Sequence, residues 1–128
     1  MLDISTLAVK ETTLIEINGP DGEPLFDEAG NRVSITVYGP GSKAYQKAQG
    51  VRNRAILEAV RRGAKKMKDA EQREVDADFL ASCTVAFNNF AYKDLQGPEA
   101  FKAAYMDISI GWMAEQVNKA IGDWENFT

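Results

Sequence analysis

The chain has one cysteine, Cys83, and no histidine. Most zinc sites, Ser-His-Asp triads and Cys-His pairs are therefore excluded. Carboxylates, lysines and a lone thiol remain for chemistry, and none forms a recognisable catalytic pattern. Gly39-Pro40-Gly41-Ser42-Lys43 lacks the spacing of a phosphate loop. Asp21, Glu23, Asp27 and Glu28 are acidic without the ligand spacing of a calcium loop. Asp76 and Asp78 fall on different faces of a helix and read as helix-start residues, not metal ligands. Cys83 lies within an apolar stripe and reads as a small buried residue. The expectation is a protein that is not an enzyme, with no catalytic residue, cofactor or metal.

Binding is the remaining class, and the charge pattern indicates where it occurs. Across the chain of 128 residues the formal charge is −4. Residues 1–42 carry Lys10 and Arg32 against seven acids. Residues 43–73 carry ten Lys/Arg against Glu58, Asp69 and Glu71, and residues 74–128 carry three Lys against nine acids. A basic segment between two acidic ones suits an acidic protein face, nucleic acid, or the acidic parts of sister copies. It also suits a plain solvated helix face. Lys47, Arg54, Arg61 and Lys68 recur every seven residues. With Lys65 they are the candidate partner-binding cations. Trp112 lies off the apolar stripe of its helix and is the candidate aromatic contact, whereas Trp124 fits that stripe.

These residues must be positioned by strands first and helices after. Thr12–Ile17 and Arg32–Tyr38 are rich in β-branched residues and read as strands. Val33, Ile35 and Val37 share one face of the second, and Ser34, Thr36 and Tyr38 the other. The first nine residues offer a further extended segment. Ser42 is an N-cap for a helix reaching Lys68, with Arg62-Gly63 able to bend or break it. A second helix spans Glu74–Phe90 with Phe79, Cys83, Ala86, Phe87 and Phe90 on its apolar stripe. A short third helix follows Gly97-Pro98, and a fourth starts between Asp107 and Ser109. The expected fold is α+β in one domain, with a small antiparallel sheet of two or three strands in 1–41 and about four helices in 42–128. The helical layer containing Phe79, Phe87, Val117 and Ile121 is expected to cover Val33, Ile35 and Val37. No apolar run reaches the ~18 residues of a membrane span. The N-terminus lacks a signal-peptide pattern, so the expected location is the cytoplasm.

Three stretches, in order, resemble tail assembly chaperones of long-tailed bacteriophages: Val33 to Gln49, Phe79-Leu80-Ala81-Ser82-Cys83-Thr84-Val85, and Glu115 to Ile121 followed by Asn126-Phe127. Phe87-Asn88-Asn89 departs from the pattern, which has an apolar or tryptophan-containing turn there. The resemblance implies a chaperone that binds the tape measure protein in the host cytoplasm, helps recruit tail tube subunits, forms a homo-oligomer and is absent from the mature virion. A structural component of the tail or head–tail junction is the alternative, and a small nucleic-acid-binding regulator the second. Such chaperones are often made in a short and a long form by ribosomal slippage. Glu125-Asn126-Phe127 can be encoded by a slippery heptamer, which would place an extension past Trp124, outside the core.

Overall fold

The structure, a computed structural model, describes residues 1–63 and 67–128. The elements are β1 (Thr12–Glu16), β2 (Ser34–Tyr38), α1 (Lys43–Arg61), α2 (Asp69–Cys83), β3 (Thr84–Asn88), α3 (Gly97–Met106) and α4 (Gly111–Ile121). Short 3-10 turns occupy Ile4–Leu7, Ile108–Ile110 and Trp124–Phe127. The fold is α+β: among the described residues, an antiparallel sheet in the order β1-β2-β3 with four helices. No helix among the described residues is long and apolar enough to cross a membrane.

β2 forms the centre of the sheet because its alternation serves two faces. Val33, Ile35 and Val37 are buried, and they share a core with Phe79, Val117 and Ile121. Ile35 faces Ile15 on one side and Phe87 on the other. On the opposite face Asn88 Nδ2 donates to Thr36 Oγ1 at 2.9 Å and Ser34 Oγ at 3.2 Å. That face carries no helix-packing apolar row, which is the usual division in an antiparallel sheet.

Local signals explain the helix ends. Ser42 caps α1, its Oγ accepting from the Tyr45 N–H at 3.1 Å. Gly63, at φ +81°, stops the chain just past α1, a left-handed position that glycine adopts without steric cost. The expected helix to Lys68 therefore ends at Arg61. Lys68 is instead the N-cap of α2.

Four other expectations need correction. The helix expected over Glu74–Phe90 stops at Cys83, and Thr84–Asn88 is the third strand. This strand lies inside the stretch read as wholly helical. A short run with Thr, Val and Phe satisfies helical and extended spacing alike; pairing with β2 decides between them. The N-terminal segment supplies a 3-10 turn rather than a strand. Asp76 and Asp78 sit mid-helix, where Asp76 Oδ1 meets Arg52 at 2.9 Å and Asp78 Oδ1 meets Lys102 at 3.0 Å. The first-turn acids are Asp69 and Glu71.

The C-terminal aromatics exchange roles. Trp124 is 55% exposed, while Phe127 is 1% exposed and belongs to the core. The core thus extends past Trp124. A Cβ on Gly39 would lie 2.3 Å from the Phe127 ring, so the glycine is required by close packing. Gly39-Pro40-Gly41-Ser42 is a joint that seats the C-terminal aromatic and caps α1.

Candidate partner-binding site

α1 occupies the margin of the helical layer, with α2 as its main neighbour. Its inner side holds Ala48 and Ala59, both buried. Small side chains there let α1 and α2 approach closely. Arg52 crosses to α2, pairing with Asp76 and lying 4.7 Å over the Phe79 ring. Tyr45 meets the same ring edge-on at 5.5 Å.

The outer side of α1 carries no such partners. Lys43, Lys47, Arg54 and Arg61 are exposed and form no ion pair among the described residues. Leu57 is 56% exposed and Val60 61%. Leu57 stands three residues after Arg54 and four before Arg61, so helical geometry places all three on one face. The structure therefore brings Lys47, Arg54 and Arg61 to one surface with apolar neighbours. Lys68 is exposed on another element, and Lys65 lies outside the described residues. Trp112 is half-buried and packs against the core. Its backbone carbonyl accepts from Gln116, whose side chain also bonds both backbone groups of Asn18. That bond ties the start of α4 to Asn18, while the Trp112 ring lies half-buried at the edge of the core.

A second uncovered surface was hidden by the helical reading of residues 84–90. β3 is an edge strand. Thr36 faces Ala86 and Val37 faces Thr84, leaving Val85 as the extra residue of a bulge, and Val85 is exposed. Beside it opens a hollow of about 370 Å³ lined by Val85, Phe87, Phe90, Tyr92, Leu95 and Phe101, with no charged side chain of the described residues in its wall. Phe87 stacks on Phe90 at 4.5 Å and meets Phe101 at 4.8 Å. The rim is fixed by the Tyr92 hydroxyl, which donates to Asp107 Oδ2 at 2.7 Å. That bond holds the Tyr92 phenol above its ordinary pKa, and bonds from Ser109 and Tyr92 hold the Asp107 carboxyl below its own.

The buried side-chain oxygens and nitrogens of the described residues all have hydrogen-bond partners. Tyr105 and Thr84 share a hydrogen bond of 2.7 Å, and Thr84 also donates to the Leu80 carbonyl. Burial pushes the Cys83 thiol up to about 12, only partly opposed by Arg52. A thiol held protonated is a poor nucleophile. No cluster of three or more metal-ligating side chains occurs among the described residues.

No family model matches the chain, and neither the curated proteins nor the solved structures provide a match.

Proposed function

We propose that the chain is a phage tail assembly chaperone that binds the tape measure protein in the host cytoplasm, keeps it soluble and helps recruit tail tube subunits. It works by binding alone and does not enter the mature virion. The observation that carries this reading is the uncharged aromatic hollow beside β3. A long helical client exposes apolar side chains that self-associate in water, and a hollow of this kind can shelter them. The basic outer side of α1 adds a second contact surface, used between copies arrayed along the client.

The test is co-production with the tape measure protein of the same phage, reading how much of that protein stays soluble. The wild-type chain is expected to keep it soluble, and Phe90→Asp to abolish the effect while the chain remains folded by circular dichroism. A tape measure protein that aggregates equally with and without the chain overturns the reading. Mass spectrometry of purified virions separates the alternative, because a tail or head–tail component is present there in stoichiometric amount.

A further inference from the structure

On the flank of α2 away from α1 lies a groove of about 450 Å³ between α2 and the segment from Asp107 through α4. α1 meets α2 beside Val75, Phe79 and Ser82, whereas the groove uses Arg73, Asp76, Ala77 and Leu80. Among the described residues its walls carry Asp69, Asp76, Asp107 and Glu115, with Arg73 as the one cation. Asp76 is engaged by Arg52, and Asp107 by Tyr92 and Ser109. Asp69 and Glu115 form no ion pair among the described residues. Ala77, Gly111 and Ala114 in the lining are small, so an incoming helix can come close to the backbone.

We infer that the outer face of α1 on one copy docks into the acid-walled groove between α2 and α4 of a second copy. Charge selects this occupant. Arg54 and Arg61 flank Leu57 and form no ion pair among the described residues, and the groove presents two carboxylates, Asp69 and Glu115, that likewise form none there, around a floor of small residues. Size agrees as well. The α2 wall from Asp69 to Leu80 spans roughly 16 Å, and the stretch Arg54–Arg61 needs about 10 Å at 1.5 Å per residue. The same copy cannot supply the helix, because α1 is already seated on α2 by its inner side.

The two surfaces differ, so the contact is head-to-tail and builds a ring or an open chain rather than a closed two-fold dimer. Each junction is small and its ion pairs are exposed, so one contact is weak and salt-sensitive. A row of copies held on one client strengthens it through effective concentration. The inference deepens the array part of the proposed function and rests on it only there.

Sedimentation velocity of the purified full chain, over a concentration series at low and high salt, tests it without any client. Self-association is expected at low salt and weakens as salt rises. Arg54→Glu with Arg61→Glu, and separately Asp69→Lys with Glu115→Lys, should each weaken it by roughly tenfold or more. All four positions are exposed, so both variants should keep the wild-type circular dichroism spectrum. Mixing the two variants should restore association, because each retains one native surface and the two altered surfaces are again opposite in charge. A wild-type chain that stays monomeric at low salt overturns the inference, as does association indifferent to either variant. Failure of the mixture to recover also overturns it, since that outcome means α1 does not meet the groove. A monomer that still keeps the tape measure protein soluble overturns only this inference. An oligomer that cannot do so overturns only the chaperone reading.

Discussion

α1 and α2 are adjacent helices of 19 and 15 residues with opposite duties. α2 buries Ala77, Phe79, Leu80 and Cys83 and packs on α1, α3 and α4. α1 buries Ala48 and Ala59 and leaves Val51, Leu57 and Val60 in solvent. Burying a large aliphatic or aromatic side chain contributes about 1.5–3 kcal/mol, and an alanine much less. The stability of the layer therefore resides in α2. α1 costs the fold little to display, and its outer residues are free to serve a partner. The contrast separates residues that hold the chain together from residues that the fold leaves available to a partner.

The strongest way to break the contrast is through α2. Phe79→Ala removes a buried ring that touches Tyr45 and Arg52 from α1. The expected loss is about 3–5 kcal/mol, a large part of the ~5–15 kcal/mol that holds a domain of this size. Urea melts measure it. A loss under about 1 kcal/mol would mean that α2 is not the scaffold.

The joint between β2 and α1 comes next. In Gly39→Ala the new Cβ meets the Phe127 ring at 2.3 Å, and overpacking of this kind costs about 1–3 kcal/mol. Phe127→Leu in the Gly39→Ala background should recover part of the loss, because the clash and the ring are coupled. Strictly additive losses in the double-mutant cycle would show that the two residues do not meet.

Much of this frame is legible in the sequence. The β2 alternation, the Ser42 cap and the break at Gly63 depend on neighbours within a few residues, so local patterning reads them. The misses are non-local. Thr84–Asn88 becomes a strand because β2 is there to pair with, and the aromatic hollow follows from that turn of the chain. Trp124 and Phe127 are both apolar, and only the room left by Gly39 decides which is buried. Asp76 and Asp78 read as helix-start acids because Arg52 and Lys102, their partners, come from other helices. At the candidate site, heptad spacing reveals Lys47, Arg54 and Arg61. It does not reveal that Leu57 and Val60 stay exposed, because that depends on α1 having one main neighbour.

Alkaline titration sharpens the contrast from inside α2. The folded state holds the Cys83 thiol near 12, above the ~8.5 of a free thiol. A raised pKa stabilises the fold fully below the unfolded value and loses that contribution as pH rises through the folded one. Between about pH 9 and 12 the unfolded chain has released this proton and the folded chain keeps it. Stability should then fall by about 1.4 kcal/mol per pH unit from this group. Cys83→Ala should lessen that slope by the share of this one group, leaving the contributions of Tyr105 and Tyr45, whose phenols burial raises, and of Tyr92 and Lys102, which their bonds to acidic side chains hold above their ordinary values. An unchanged slope in chemical melts across this range would place the titrating group elsewhere. At neutral pH the native thiol should react slowly with iodoacetamide and rapidly in urea.

The smallest expected effect is the one that defines α1. Leu57 is more than half exposed, so Leu57→Ser removes little buried surface from the single chain. The melt should move by no more than about 0.5 kcal/mol, the usual range for surface positions. Against a partner the same side chain would be covered, and losing a buried leucine there forfeits about 1.5–3 kcal/mol. That corresponds to a tenfold or greater weakening of association. The two readouts should therefore diverge, with a silent melt and a displaced sedimentation profile. Arg54→Glu with Arg61→Glu should diverge in the same direction, and salt should lessen its effect but not that of Leu57→Ser, since screening acts on charge and not on apolar contact. A melt lowered by more than about 1 kcal/mol would make Leu57 part of the monomer's own core. A sedimentation profile equal to wild type would leave the outer side of α1 without a partner, and the division of labour between the two helices would fail.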